Sequence, residues 1–441
     1  MRKTMLLTAS LCLLALCAGA TAPAAAQGPL MGLYYNEIEK DGRVYVFNTP
    51  ERFKSFSAGG EIGTAITLVG RALDGKTLVG ENETAIDLYL FKHNLPAYDR
   101  ATPKPAPPPK YPATKIQGRF FGDFTDKQNE NKGTGAKSSD SGIGLDVKRF
   151  YFTVSHDFNE TWSAQFQSDI GDQGARRYDV FVKKAFIQAK LSDAFVFRAG
   201  SADTPWIPFT EGQYGMRYFE QTITDSLGYG TSADWGLHLL GKAANGKVGY
   251  QVSALNGKGY SNPTRTKSVD FEGRVSVEPV AGLTLAVGGY SGKLGNDVDT
   301  ASPAKHTAQR LNGFVGYKTA RFGVGLEYFD AKNYKNVTTA ATDKSDGFSA
   351  FAHFVPAKDW KVFARYDTAN PSKDLNDALE LTYYNVGVER RFNKSVAAAL
   401  AYKHAQVEGG TLGTGNGTIG SAVAGRKGEF SEIGVWAIYD F

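Results

Sequence analysis

The sequence is short of the residues that staple or activate small proteins. It has two cysteines, Cys12 and Cys17, both near its start, so the rest can form no disulfide and offers no thiol for metal or redox chemistry. Six histidines are scattered, and none stands in a metal-ligand spacing such as His-Glu-x-x-His. His156 has Ser155 beside it, but neighbouring strand residues point to opposite faces, so the pair cannot work as nucleophile and base. No catalytic residue, metal site or cofactor is expected. Past the first segment no apolar run approaches the roughly 20 residues of a membrane helix. Charge of one sign is also missing. The formal net charge of +5 falls by two without Arg2 and Lys3, and the signs are interspersed, which excludes nucleic acid as the expected partner.

The first segment, "MRKTMLLTASLCLLALCAGATAPAAAQ", has the form of a secretory signal over residues 1–26. Arg2 and Lys3 precede an apolar run, and Ala24 and Ala26 frame a cleavage point before Gln27. Leu16 occupies the place where a lipidated cysteine needs a small residue before it, so Cys17 is not read as a lipid anchor.

Three zones follow. Residues 28–96 suggest a small α+β domain. Within it "GLYYNEIEKDGRVYVFN" gives two strands about Asp41-Gly42, and "TPERFKSF" a helix capped by Thr49 with Pro50 in its first turn. A second strand pair turns near Asp74-Gly75, and "ENETAIDLYLFKH" has helical spacing. Residues 97–114, with "RATPKPAPPPKYPAT", form a proline-rich, semi-rigid linker.

From 115 to 441 the chain is a series of alternating segments of about ten residues each, joined in turn by short and long connections. Sixteen such segments can be traced, which predicts a 16-stranded antiparallel transmembrane β-barrel. A barrel explains a soluble-looking composition, because one face of each strand meets lipid and the other water. Phe150, Phe152, Val154 and Phe158 thus oppose Arg149, Tyr151, Thr153, Ser155 and Asp157. Closure also leaves no backbone unpaired at membrane depth. A soluble sandwich alternates in the same way but seldom sustains sixteen strands with alternating loop lengths.

The stretches "LDVKRFYFTVSHDFNETWSAQFQSDIG" and "FVKKAFIQAKLSDAFVFRAGSADTPWIPF" resemble the phosphate-selective porin O and P family. The shared features are Lys148-Arg149 opening a strand, Trp162 after a turn, Ala185-Phe186, and a Gly-x-x-x-x-Pro-aromatic element from Gly200 to Trp206. The resemblance spans about 115–441. It implies an outer-membrane porin, commonly a homotrimer of separate pores, passing small hydrophilic solutes or anions such as phosphate. Family members often have a lysine in the last element where this chain has Asp203, which counts against a preference for anions.

A pore selects by width and by rings of charge. The basic candidates on the polar faces are Arg119, Arg149, Lys184, Lys190, Arg198, Arg274, Arg365 and Arg391. Acidic residues such as Asp123, Asp169, Glu272 and Asp367 stand against them, so the lumen reads as mixed in charge. The long connection from Asp203 to Thr231 is expected to fold into the barrel as a constriction, with Glu211, Arg217, Tyr218 and Glu220 near the eyelet; an external cap is the alternative. "GTLGTGNGTIG" from Gly410 reads as a flexible external loop. The closing "GVWAIYDF" alternates to an aromatic end and resembles the C-terminal signature of outer-membrane barrels, which implies an assembly signal. It puts Tyr439 and Phe441 in the periplasmic aromatic girdle, with the barrel-assembly machinery and outer-membrane lipid as partners. A second reading makes the barrel mainly an anchor, with the N-terminal domain in the periplasm binding a periplasmic or cell-wall partner.

Overall fold

A computed structural model describes residues 32–98, 111–172, 178–300 and 302–441. The signal read at 1–26 and most of the linker read at 97–114 lie outside the described residues. The chain divides into two compact units, residues 1–108 and 109–441.

In the first unit β1 (Asn36–Lys40) and β2 (Arg43–Phe47) form an antiparallel hairpin. Asp41 and Gly42 both take positive φ, 51° and 71°, as a two-residue turn matching strand twist requires. After helix α1 (Pro50–Gly59) and β3 (Ile66–Leu68), strand β4 (Thr77–Gly80) pairs with β3 antiparallel and with β2 parallel. Helix α2 (Glu83–Lys92) packs Ile86, Tyr89 and Leu90 onto Val44, Val46 and Leu78. Thr49 does not cap α1 with its side chain as the sequence suggests. Its hydroxyl donates to the buried Glu81 carboxylate at 2.8 Å, which also accepts the Asn48 amide, so two loops are tied through one acid.

The second unit is a closed antiparallel barrel of sixteen strands. They are β5 (Ala113–Asn131), β6 (Gly142–Asp157), β7 (Trp162–Asp172), β8 (Tyr178–Lys190), β9 (Val196–Asp203), β10 (Ala233–Ala243), β11 (Val248–Leu255) and β12 (Asp270–Val277). They continue as β13 (Leu283–Gly292), β14 (Ala308–Lys318), β15 (Phe322–Lys332), β16 (Lys344–Phe354), β17 (Trp360–Asn370), β18 (Glu380–Arg391) and β19 (Val396–Glu408). A small hairpin, β20 (Thr411–Thr414) and β21 (Gly417–Gly420), precedes the last barrel strand, β22 (Gly428–Asp440). Closure comes from β22 pairing with both β19 and β5, which sets Asp440 opposite Arg119.

Burial along β15 alternates without a break: Val324, Leu326 and Tyr328 are exposed, while Gly325, Glu327 and Phe329 are buried. This is the two-faced wall that the alternation predicts. Large apolar side chains such as Phe152, Ile187, Leu237, Val287 and Val386 cover the outer face. At the short-turn end exposed aromatics gather, among them Trp162, Phe195, Phe322, Phe354, Phe392, Tyr439 and Phe441. Phe441 extends the last pairing by two 3.0 Å backbone bonds with Gly118. Its ring lies over that glycine, and any side chain there would run into it.

Among the described residues the strand pairing shifts register at two places. Pairing shifts register between Phe121 and Gly122, leaving Lys148 of β6 as an extra residue, and between Gln167 and Ser168, leaving Lys183 of β8. Both bulges put two consecutive basic residues inside: Lys148 with Arg149, and Lys183 with Lys184. Strict alternation would set one of each pair in lipid at a cost of about 2–4 kcal/mol.

The glycine-rich stretch from Gly410 is not a flexible external loop. It forms the β20–β21 hairpin, with Leu412 and Ile419 buried in the interior cluster and its tip turned down onto the connection after β9. The pattern of glycines set by turns looks the same in sequence as that of a loose loop.

Candidate pore constriction

The connection after β9 lies inside the barrel. It carries helix α3 (Ile207–Tyr214) and the short helix α4 (Ile223–Ser226), and its apolar side chains face the wall from β14 to β19. Trp206 is fully buried, and its indole N–H donates to Glu327 at 2.9 Å. Thr224 donates to the same carboxylate at 2.7 Å. Phe219 packs on Trp436 and Phe363 with centroids 4.8 and 5.1 Å away, beside the small residues Ala399 and Ala401 that make room for it. The Tyr218 hydroxyl donates to Glu389 at 2.8 Å. Two buried arginines hold the loop's backbone: Arg310 donates to the Tyr229 carbonyl and Arg365 to that of Gln221.

Glu220 lies at the centre of this anchoring. Its carboxylate faces the Lys403 ammonium at 3.1 Å and accepts from the Tyr383 hydroxyl and the Asn416 amide, each at 3.1 Å. Lys403 also meets Glu432 at 3.2 Å. Burial works against the charge on Glu220, but Lys403 and Arg365 outweigh it and hold the carboxyl down to about 2. Asn416 is at the tip of the inturned hairpin, so the connection between β19 and β22 bears directly on the folded-in loop.

Two cavities lie between the loop and the wall from β5 to β8. A cavity of about 710 Å³ on the short-turn side is lined by Arg119, Tyr151, Lys183, Lys184, Glu211 and Arg391, among others. A second of about 730 Å³ toward the long connections is lined by Lys148, Arg149, Phe181, Tyr260 and Lys403. Phe121, Arg217 and Tyr218 line both, and so mark the neck between them.

The charges at this wall are layered. Lys148 sits 3.1 Å from Asp123 and Arg149 2.9 Å from Asp169; the cations are 39% and 24% exposed, and both carboxylates 0%. Cations therefore face the water while the acids that hold them lie behind. Across the neck Arg217 pairs with Glu211 and, at 3.7 Å, with Asp225. Burial raises the Glu211 carboxyl above its ordinary range despite Arg217.

Solved structures with the same barrel are outer-membrane porins and related proteins. An anion-selective porin from Comamonas acidovorans matches at TM-score 0.57 and 10% identity, over 75% of this chain and 99% of its own. This is the porin fold. OmpT of Vibrio cholerae without its loop L8 matches at 0.52 with 15% identity, over 75% of this chain and 99% of its own. The outer membrane channel DcaP of Acinetobacter baumannii matches at 0.51 with 9% identity, over 74% and 97%. No protein-family model matches the chain, and no curated protein does.

Within this barrel the residues singled out in the sequence scatter into three settings. Arg119, Arg149, Lys184, Arg391, Glu211, Arg217 and Tyr218 line the two cavities about the neck. Lys184 is neutralised there by Asp203 at 2.6 Å, and Arg119 by Asp440 at 2.7 Å. Lys190, paired with Asp193 in a short turn, and Arg198, over the Phe186 ring, belong with Arg274 to a separate cavity of about 1130 Å³ at the short-turn rim. Arg365 does not face open lumen: the loop covers it, and it is buried against Asp367, Tyr214 and Tyr383. Glu220 lines the outer cavity only at the edge of its buried network.

Lys148, read only as part of the family resemblance, and Lys183, Lys403 and Arg310 were not among the lumenal candidates of the sequence. For the first two a signal existed. Two adjacent basic residues in a membrane strand imply a bulge, since one of them would otherwise stand in lipid.

Proposed function

We propose that the protein is a passive outer-membrane channel for small hydrophilic solutes, biased toward anions. The observation that carries this reading is the neck at Phe121, Arg217 and Tyr218, where a folded-in loop leaves one wall free and that wall presents cations with their carboxylates set behind. Fixed charge at a narrow, partly desolvated passage selects by sign. Phosphate is one anion within reach of this chemistry, but Asp203 on Lys184 removes one of the charges it would use.

The neighbouring solved structures favour a homotrimer, since OmpT of Vibrio cholerae has a trimer form. In the orientation usual for such barrels the short turns face the periplasm. The chain enters β5 at that end, which favours a periplasmic place for residues 28–96. The aromatic end at Tyr439 and Phe441 suits recognition by the barrel-assembly machinery.

The reversal potential of the purified protein in a planar bilayer under a KCl gradient tests the reading. Anion selectivity is expected, and cation selectivity would discard it. Deleting 211–221 should raise conductance and weaken the selectivity; an unchanged channel would remove the loop from the filter.

A further inference from the structure

The neck carries more aromatic surface than a filter for small inorganic ions needs. Phe121 and Tyr151 meet edge to face at 5.6 Å, Phe121 and Tyr218 lie 6.3 Å apart, and Phe181 stacks with Tyr260 at 5.8 Å with 19° between the planes. Phe181 and Tyr260 are half-buried and line the outer cavity, so their rings are open to whatever occupies it.

Lys183 stands between these rings. Its ammonium is 4.6 Å from the centre of Tyr151 and 5.3 Å from that of Tyr260, and it donates to the Tyr151 hydroxyl at 3.2 Å. Among the described residues no carboxylate lies within ion-pair distance of it, and the nearby Arg149 and Arg217 add positive charge of their own. Ring faces stabilise a desolvated ammonium without neutralising it. An incoming anion therefore finds a cation here that no acid has already paired, and finds it bordered by aromatic faces.

A small inorganic anion would use the cations but not the rings, and a neutral sugar the rings but not the cations. From this juxtaposition we infer that the neck is a subsite for small planar aromatic carboxylates, whose ring lies against Phe181 and Tyr260 or Tyr151 while the carboxylate faces Lys183, Arg149 and Arg217. The inference rests on the channel reading above and narrows its solute. Ring stacking adds about fivefold in affinity, about 1 kcal/mol, beyond what charge alone gives. A gain of that size concentrates the solute at the neck without trapping it, which is the condition for conduction.

The test is block of the chloride current through the full-length protein in a planar bilayer by benzoate, acetate and maltose at matched concentrations. Benzoate should half-block at a concentration roughly fivefold below that of acetate, and maltose should be weaker than both. Replacing both rings, Phe181→Leu with Tyr260→Leu, should bring the benzoate-to-acetate ratio near one, and Lys183→Met should weaken block by both anions. Equal block by benzoate and acetate in a channel that conducts chloride overturns this inference alone. Maltose blocking as well as benzoate overturns it in favour of an aromatic track for sugars. An inserted barrel with no current overturns the channel reading, and this inference with it.

Discussion

The two walls of this barrel carry the same kinds of charged residue and use them in opposite ways. On β5 to β8, Lys148 and Arg149 stay partly in water with their acids behind them. On β14 to β19, Arg310, Arg365 and Lys403 are buried against the folded-in loop, and besides their partners on the wall each gives a bond to the loop's backbone or to Glu220. What separates the walls is the loop, which presents Trp206, Phe219 and Ile223 to one and Glu211 and Arg217 to the other. A lysine on a lumenal face is thus left partly in water or built into the packing according to what covers it.

The contrast is easiest to break at Lys403. Lys403→Met leaves Glu220 and Glu432 buried without their cation, which should cost about 3–5 kcal/mol. Urea unfolding of the detergent-solubilised barrel should show that loss, and single-channel records should gain large open-state noise as the loop lifts. Trp206→Phe keeps the ring but removes the bond to Glu327. It is expected to cost about 1–3 kcal/mol in the same unfolding measurement, with selectivity kept.

On the open wall the effects should fall on selectivity instead. Asp203→Asn frees Lys184 and should raise the chloride-to-potassium permeability ratio by about twofold to fivefold, with little change in stability. A fall in that ratio would mean that Lys184 does not face the solute.

The smallest effect expected is that of pH, and it separates the two sides of the loop. Glu211, whose carboxyl is raised by burial, takes up its proton before Glu220 as pH falls from neutral, leaving Arg217 only Asp225 at 3.7 Å. Anion selectivity should therefore rise on mild acidification, as read from the reversal potential. Glu220 is depressed from 4.5 to about 2, so its stabilisation is complete above about 4.5 and lost only as pH falls through about 2. The loop should stay seated throughout the interval in which selectivity changes. Loss of loop order at pH 5 would contradict that assignment.

The sequence by itself determined the barrel. Period-two alternation separates a lipid face from a lumenal one wherever lipid and water differ enough to enforce it, and the alternation of short and long connections marks the two rims. It also pointed to the connection after β9, because so long a segment rich in aromatics needs something to pack against. Tertiary structure alone decided which charges face water. The bulges at Lys148 and Lys183 turn both lysines inward, although adjacent basic pairs hinted at them. The burial of Arg365 depends on a loop more than a hundred positions away, reaching it through Gln221. The descent of the glycine-rich hairpin depends on Asn416 finding Glu220. Alternation is a local property of the backbone and can be read along the chain. Exposure of a lumenal charge depends on which distant segment lies over it, and that is fixed only when the barrel has closed around its loop.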